Sequence, residues 1–446
     1  MHPPRLSLRT AALAIPAAVC AVLLFTGGAA YANVPLTSVS TDPFTDAQAQ
    51  HRTEVEPDTF SSGSTIVSAF QVGRVFGGGS SDIGFATSVD GGTSWIHGSL
   101  PGITGNTTPA GIYGQASDAA VAFDAKHNVW LISSLGIRSS SVDVLTSRST
   151  DGGRTWSNPV TTATGQLDKN WIACDNTSTS PFFGRCYTEY DITNSSDALR
   201  MKTSSDGGLT WGPARATGDG AHGLGGQPVT ASHHNAAGGL RAEELPSAEI
   251  DAAGTAYVVW PDCRFRSGCP ANDVVLSKST SETTWGAVTR VPIDLTTSIV
   301  DHFVPGIGVD PSTSGGGARL GVTYYAYPNR SCTAATCQLI VGFISSTNGG
   351  ASWSGPTQVA GPMNISWLPN TSQGRMFGDY ISTSVRPGGA AFPVIPVASA
   401  PSGSTFNLGM FAPSTGLPIS GGARLATEPP AANTAAPLAS VPQTRH

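Results

Sequence analysis

One eight-residue phrase recurs along the chain and limits its fold more than any other feature. It reads SVDGGTSW at 88–95, STDGGRTW at 149–156, SSDGGLTW at 204–211 and STNGGASW at 346–353. A shortened relative, STSETTW, occupies 279–285. Self-similarity at spacings of this size points to a propeller or solenoid built from one repeated unit. Each full phrase follows a β-run and contains Asp-Gly-Gly or Asn-Gly-Gly. The glycines supply the positive φ that a tight hairpin needs. Asp90, Asp151, Asp206 and Asn348 are placed to accept hydrogen bonds from N–H groups of their own turns. Trp95, Trp156, Trp211 and Trp353 then cover the turns with a large apolar plate, and are expected to be largely buried. An aspartate in this setting bonds a turn and does no chemistry, so the phrase is read as structural.

Between the phrases, alternating apolar runs are separated by Asp, Asn and Gly turns. SDAAVAFDAKHNVWLIS from 117 and SAEIDAAGTAYVVW from 247 are examples. Period-2 runs joined by turn signals are antiparallel strands. Six such openings occur, at Glu54, Ser117, Asp168, Ser247, Asp301 and Gly374, which predicts an all-β, six-bladed propeller with four antiparallel strands per blade over 54–412. Charged residues make up 12% of the chain, about half of the usual share of about 25%. The 53 glycines and 32 prolines suit many turns and few long helices. Net charge is -6 without clustered Lys and Arg, so a nucleic-acid partner is excluded.

The N-terminus reads as a secretory leader. Arg5 and Arg9 precede an apolar run from Ala11 to Phe25, and Ala30-Tyr31-Ala32 offers a cleavage site. A signal peptide over 1–32 is expected, leaving a secreted, extracellular protein with no membrane attachment after cleavage. Six cysteines then remain, in close pairs: Cys174 with Cys186, Cys263 with Cys269, and Cys332 with Cys337. In an exported chain these read as three local disulfides. Residues 33–53 form an N-terminal segment that could supply the ring-closing strand, as could 404–412. From 413 to 446 the chain is Pro/Ala/Thr-rich and is expected to be disordered.

In a propeller, polar residues at the strand openings line the central depression. Here these are Glu54, Glu56, Asp118, Asp168, Lys169, Glu243, Glu244, Glu249, Asp301, His302, Arg375, Asp379 and Tyr380. A second set closes the innermost hairpins: Arg74, Asp82, Asp262, Arg264 and Arg330. Salt-bridging between blades is the competing role for all of them. No metal-ligand loop is visible, so no cofactor is expected; a structural Ca²⁺ would need acidic loops that no motif indicates.

The recurring phrase resembles the Asp-box, or bacterial neuraminidase repeat, of the sialidase (neuraminidase) superfamily. The resemblance covers the whole propeller and implies a glycoside hydrolase acting on terminal sialic acid or a related acidic sugar, probing carbohydrate or glycoconjugate as a monomer. It implies a tyrosine nucleophile, an exception among glycosidases, together with arginines that grip the substrate carboxylate bidentately. In GDYISTS, Tyr380 resembles the nucleophile. Glu244 or Glu249 is then its base, and Asp82 is the nearest match for the acid/base. Arg264, Arg330 and Arg74 resemble substrate-binding arginines, with Arg375 available to complete the set.

The resemblance breaks where the family opens with Phe-Arg-Ile-Pro. Here the sequence is Glu54-Val55-Glu56-Pro57, with valine in the arginine's place and a glutamate on each side. Three functions therefore stay open: a sialidase, a propeller hydrolase or lyase on another polysaccharide, and a non-catalytic glycan- or protein-binding propeller. The arrangement around the axis separates them. Guanidiniums converging near Tyr380 favour the first, and a ring of carboxylates excludes it.

Overall fold

The computed structural model describes residues 34–427, except 219, 224–230 and 282. The expected leader and residues 428–446 lie outside the described residues. Regular structure consists of β-strands with four short 3-10 turns. The strands fall into successive antiparallel groups. Sheet A contains Ala49–Ser62, Thr65–Val75, Ser80–Ser88 and Ile96–Ser99. Sheet B contains Gln115–Asp124, Val129–Ile137, Val142–Ser149 and Val160–Ala163. Sheet C contains Leu167–Cys174, Cys186–Ile192, Ala198–Ser204 and Arg215–Ala216. Sheet D contains Ser247–Ile250, Ala256–Asp262, Asp273–Ser279 and Thr289–Arg290. Sheet E contains Asp301–Val309, Leu320–Tyr327, Gln338–Ser346 and Thr357–Asn364.

Sheet F is closed by the first described strand. Its strands Ser382–Val385, Ala390–Ala398 and Leu408–Pro413 are joined by Leu36–Ser38, where Leu36 pairs with Pro413 and Ser38 with Phe411. A and F are linked by the single parallel pair Thr53–Leu408, and A and B by Ser80–Ala116. First strands of neighbouring sheets lie side by side: A by B, B by C, D by E, E by F, and F by A. This is an all-β, propeller-type arrangement.

Shared apolar clusters hold neighbouring sheets together. Val67 and Phe85 of A meet Val121 and Leu145 of B. Ala122 and Leu131 of B meet Ile172 of C. Val259 and Leu276 of D meet Ile307 and Val322 of E. Val341 and Phe343 of E meet Val385 and Ala391 of F, and Val394 and Met410 of F meet Phe70 and Val72 of A. Among the described residues no such cluster joins C to D; Val258, Trp260, Phe265, Val275 and Val288 cluster on D and its own loop.

Each full copy of the recurring phrase joins a third strand to the segment that leads into the fourth. One bonding scheme repeats. Asp90, Asp151, Asp206 and Asn348 accept from the N–H four residues on, at 2.9–3.0 Å. The leading Ser88, Ser149, Ser204 and Ser346 hydroxyls accept from the second glycine N–H at 2.8–3.0 Å. Trp353 and Trp156 are buried, whereas Trp95 and Trp211 are only half-buried. A cover plate on an outer hairpin is fully enclosed only where another segment crosses it. At Trp353 that segment is Arg424–Leu425, which pairs with Ser352–Trp353.

That pairing also corrects the expected tail. Residues 413–427 are structured: Leu417 and Ile419 are buried, and Leu417–Pro418 pairs with Ala390–Ala391. Two apolar side chains within a Pro/Ala/Thr-rich composition suffice to anchor the segment. The propeller also begins earlier than expected, at Ala49, since the first strand of A is 14 residues long. The three cysteine pairs are bonded, with Cα–Cα distances of 4.0, 4.9 and 4.9 Å. Among the described residues no helix is long and apolar enough to cross a membrane.

Candidate active site at the strand openings

The first strands of four sheets share an irregularity. Register slips occur between Val55 and Asp58, Ser117 and Ala120, Asp168 and Trp171, and Phe303 and Gly306. Inside each slip one non-glycine residue takes a left-handed backbone: Glu56 (φ 56°), Asp118 (φ 49°), Lys169 (φ 47°) and Val304 (φ 41°). Such residues cost free energy, and bulges of this kind re-aim side chains. Three of the four carry charge, and they meet at one place. Gly378 makes the approach possible: a Cβ there would lie 2.9 Å from the Glu56 nitrogen.

Asp379 is the hub. Its carboxylate pairs with the Arg241 guanidinium and lies 3.4 Å from the Lys169 ammonium. Lys169 also lies 4.0 Å from Asp118, whose other oxygen accepts from Ser117 at 2.6 Å. The Asp379 N–H donates to Glu56 at 3.3 Å. Gln71 donates to Glu56 and, at 3.0 Å, to Ser117. Arg74 donates to Gln71 at 3.4 Å and to the Gly79 carbonyl at 2.7 Å. Glu56, Asp118, Asp168, Asp379, Arg74 and Arg241 are buried, while Lys169, Glu243 and Tyr380 remain partly open.

Crowding sets the protonation states. Burial, then Asp379 and Asp118, push Glu56 up to about 8. Burial and Asp118 push Asp168 up to about 6. Burial also raises Glu243, with Asp379 adding to it and Arg241 and Lys169 opposing. For Lys169 burial works downward, but Asp118, Asp379, Asp168 and Glu56 outweigh it and hold the ammonium charged. Tyr380 is raised well above the ordinary phenol range by burial and by Glu56, Asp118, Asp58 and Asp379. Its hydroxyl donates to the Ala119 carbonyl at 3.1 Å. Its ring meets Trp171 edge-on at 5.4 Å, and Trp171 is 36% exposed.

The residues assigned by resemblance distribute differently. Arg74 joins the cluster directly. Arg375 acts behind it, donating to the Leu368 carbonyl at 2.7 Å while its own carbonyl accepts from the Arg241 N–H at 2.8 Å. Arg264 forks onto Asp262, at 2.9 and 2.6 Å. Arg330 donates to the Ser298 carbonyl at 3.0 Å and lines a cleft with Phe265, Arg266 and Thr297. Asp82 is fully buried in sheet A and raised well above its ordinary value by burial. No ionisable neighbour tunes it, unlike the axial acids. Glu244 lies 4.0 Å from His233. Glu249 is pushed up to about 8 by burial and then by Asp58. Glu54 bonds to Ser40 and to the Met410 N–H, so it clamps the ring closure.

Sequence reasoning missed Arg241, Gln71 and Trp171. Arg241 lies outside any strand, on a segment docked against Arg375. Trp171 reads as a core residue, and the strand slip beside it is what turns it outward. Among the described residues a metal has one candidate group, Asp273, Asp294 and His302, with ligand atoms within 4.8 Å of one another. Arg266 and Arg290 each lie 2.7 Å from Asp273 and also pair with Asp294, so these carboxylates are already neutralised.

No family model matches the chain, and no curated protein matches it. Solved structures do. The Hadza microbial sialidase Hz136 is 15% identical, with 81% of this chain and 65% of that chain covered and a TM-score of 0.45. This chain therefore spans just under two thirds of that sialidase. The α-L-arabinanase of Penicillium chrysogenum is 12% identical, covering 85% and 98%, with a TM-score of 0.47. The GH93 α-L-arabinofuranosidase of Fusarium graminearum is 13% identical, covering 84% and 97%, with a TM-score of 0.46. Among solved structures the chain is thus similar to sialidases and to arabinan-cleaving enzymes.

Proposed function

We propose that the chain is a six-bladed propeller glycoside hydrolase that cleaves a neutral glycan at the axial carboxylate cluster. The blades are sheets A to F. One observation carries the reading: Asp379 is buried between Lys169 and Arg241, while Glu243, partly open and raised, faces it. Environments that push two carboxyl groups apart divide acid from base. Glu243 is the general acid that protonates the leaving oxygen. Asp379, flanked by its two cations, is the nucleophile or the base that activates water. Glu56 supports Asp379 from behind, and Trp171 with Tyr380 offers apolar ring faces to the sugar. The acids around Tyr380 oppose both a substrate carboxylate and ionisation of its phenol, which argues against sialic acid and a tyrosine nucleophile. The leader and three disulfides support export, and we read the enzyme as a secreted monomer.

The test is hydrolysis of a panel of p-nitrophenyl glycosides that includes arabinofuranosides, beside an α-sialoside. Asp379→Asn is expected to lose about 10²–10⁴ in rate. Glu243→Gln should lose less on a nitrophenyl leaving group, which needs little protonation. Tyr380→Phe should stay within a few-fold of wild type. Turnover of the sialoside that disappears in Tyr380→Phe overturns this reading in favour of the tyrosine mechanism.

A further inference from the structure

Two of the three disulfides pin loops that form one cleft. Cys263–Cys269 brackets Phe265, Arg266 and Ser267, between the second and third strands of sheet D. Cys332–Cys337 follows Arg330 closely, in the matching loop of sheet E. The connection from D to E supplies the third wall, with Thr296 and Thr297. The walls enclose about 470 Å³, within the roughly 300–1,000 Å³ of small-molecule sites. Every lining residue lies among the described residues. The cleft is on the face of the strand openings: Tyr327, just before the Arg330 loop, pairs with Asp301 at the start of the first E strand.

Arg330 is the surplus cation of this cleft. Behind it, Arg266 and Arg290 both pair with Asp273 and Asp294, two guanidiniums on two carboxylates. Asp301 feels the Arg330 charge, but among the described residues Arg330 makes no ion pair. Its Nη1 donates to the Ser298 carbonyl at 3.0 Å, and its backbone N–H to the Ile299 carbonyl at 2.8 Å. The Ser298 carbonyl also accepts from the buried Arg266 at 3.0 Å. The Arg330 side chain is therefore held in place while its Nε–Nη2 edge stays unbonded. That edge is a planar pair of donors that matches a carboxylate.

The rest of the lining divides by chemistry. Phe265 is buried and Pro270 half-buried, which makes an apolar wall. Ser267, Thr296 and Thr297 are exposed, and none of their hydroxyls bonds to another described residue. A ligand with a carboxylate, several hydroxyls and a C–H face uses all three parts. A bare phosphate or sulfate would leave the ring wall unused.

We propose that the cleft between sheets D and E is a binding site for a uronate sugar. Its carboxylate sits on the Arg330 edge, its hydroxyls on Ser267, Thr296 and Thr297, and its ring against Phe265 and Pro270. None of these residues belongs to the axial cluster, and the site does not rest on the hydrolase reading. The paired disulfides hold the loops in the binding geometry before the ligand arrives, which lowers the ordering cost of binding.

The probes are galacturonate and glucuronate, beside galactose, glucose and benzoate, titrated by calorimetry against the full chain. At least one uronate should bind about tenfold or more tightly than its neutral hexose. Arg330→Gln should remove that preference. Arg330→Lys should keep part of it, since an ammonium retains the charge and loses the fork. Thr296→Glu sets a carboxylate against the ligand from an exposed wall and should weaken the uronate about tenfold at an unchanged melting temperature. It reports even where Arg330→Gln, which gives up the Ser298 anchor, folds poorly. Asp379→Asn should bind the uronate as wild type does. Trigalacturonate that binds more tightly than galacturonate marks a uronate carried on a glycan, and equal affinity marks a free one; both uphold the site. Uronates that bind no more tightly than the hexoses overturn it, as does uronate affinity that survives both Arg330→Gln and Thr296→Glu or is lost in Asp379→Asn. Benzoate bound as tightly as the uronate overturns the sugar acid as ligand. Uronate binding that depends on Arg330, in a protein that hydrolyses no glycoside, upholds the cleft and removes the hydrolase reading.

Discussion

Lys169→Met tests whether the axial cluster is a balanced set of charges. At pH 7 Glu56, pushed up to about 8, is protonated. Taken at formal charge, Asp118, Asp168 and Asp379 then face Lys169, Arg74 and Arg241. Lys169 lies 3.4 Å from Asp379 and 4.0 Å from Asp118, with a side chain only 16% exposed. Its removal leaves one buried negative charge in excess. Breaking a buried pair this way typically costs about 3–5 kcal/mol. Protonation limits the cost. Asp168 is already pushed up to about 6, so taking up a proton there costs about 1.4 kcal/mol at pH 7 and almost nothing at pH 5. The raised pKa of Lys169 keeps its own contribution constant below the ordinary lysine value, so the pH dependence belongs to the carboxylates in the variant. Urea unfolding followed by circular dichroism should therefore show a deficit of about 1.5 kcal/mol at pH 7 that nearly vanishes at pH 5. An equal deficit at both pH values, or one below about 1 kcal/mol at pH 7, would refute the charge-balance argument.

Two further substitutions address the frame. Asp151→Ala should cost about 1 kcal/mol, the scale of a lost cap, because its carboxylate and the N–H groups it binds are exposed; glycoside turnover should not change. Burial works against the ionised form of Asp151, but Thr155, Ser149 and Arg154 outweigh it and hold the group at about 2. The wild-type advantage in urea melts should therefore persist above pH 4 and vanish as the pH falls through about 2. Glu54 is raised by burial to about 7, with bonds from Ser40 and Met410 opposing. Folding thus favours its protonated form, and wild-type stability should fall as pH rises from the ordinary glutamate value to about 7. Glu56 and Glu249 add slope of the same sign, so thermal melts of Glu54→Gln should show a shallower slope than wild type, and a slope unchanged in the variant would remove Glu54 as a contributor.

The frame of the molecule was readable because it is written locally. The Asp-Gly-Gly turns, the alternating runs and the cysteine spacings each specify a hairpin that needs no distant partner. The axial charged residues were readable as a set for the same reason: Glu56, Asp118, Lys169 and Asp379 all stand at strand openings. Their roles were not, because these depend on which openings the ring brings together. Arg264 lies close to Asp262 in sequence and folds back onto it, whereas Arg241 finds Asp379 across 138 residues. A resemblance that matches short segments assigns the first and overlooks the second. The left-handed slips at Glu56, Asp118 and Lys169 are also silent in sequence, since glutamate and lysine do not favour that backbone and an aspartate enters it in many other settings.

The pairing of Leu36–Ser38 with Phe411–Pro413 has a consequence for how the chain must be made. The strand that completes the last blade emerges first, and its partner emerges some hundreds of residues later. Every intermediate length of nascent chain therefore carries an unsatisfied edge, and no internal blade supplies a substitute without displacing a native pairing. Closure is a single late event joining segments far apart in sequence, the type of contact that slows folding. The described ends do not meet there: past Pro413 the chain runs on along Ser352–Trp353 of sheet E to Thr427, whose carbonyl accepts from the Arg290 N–H of sheet D at 2.7 Å, so the closing strand is locked in by a segment that is made later still.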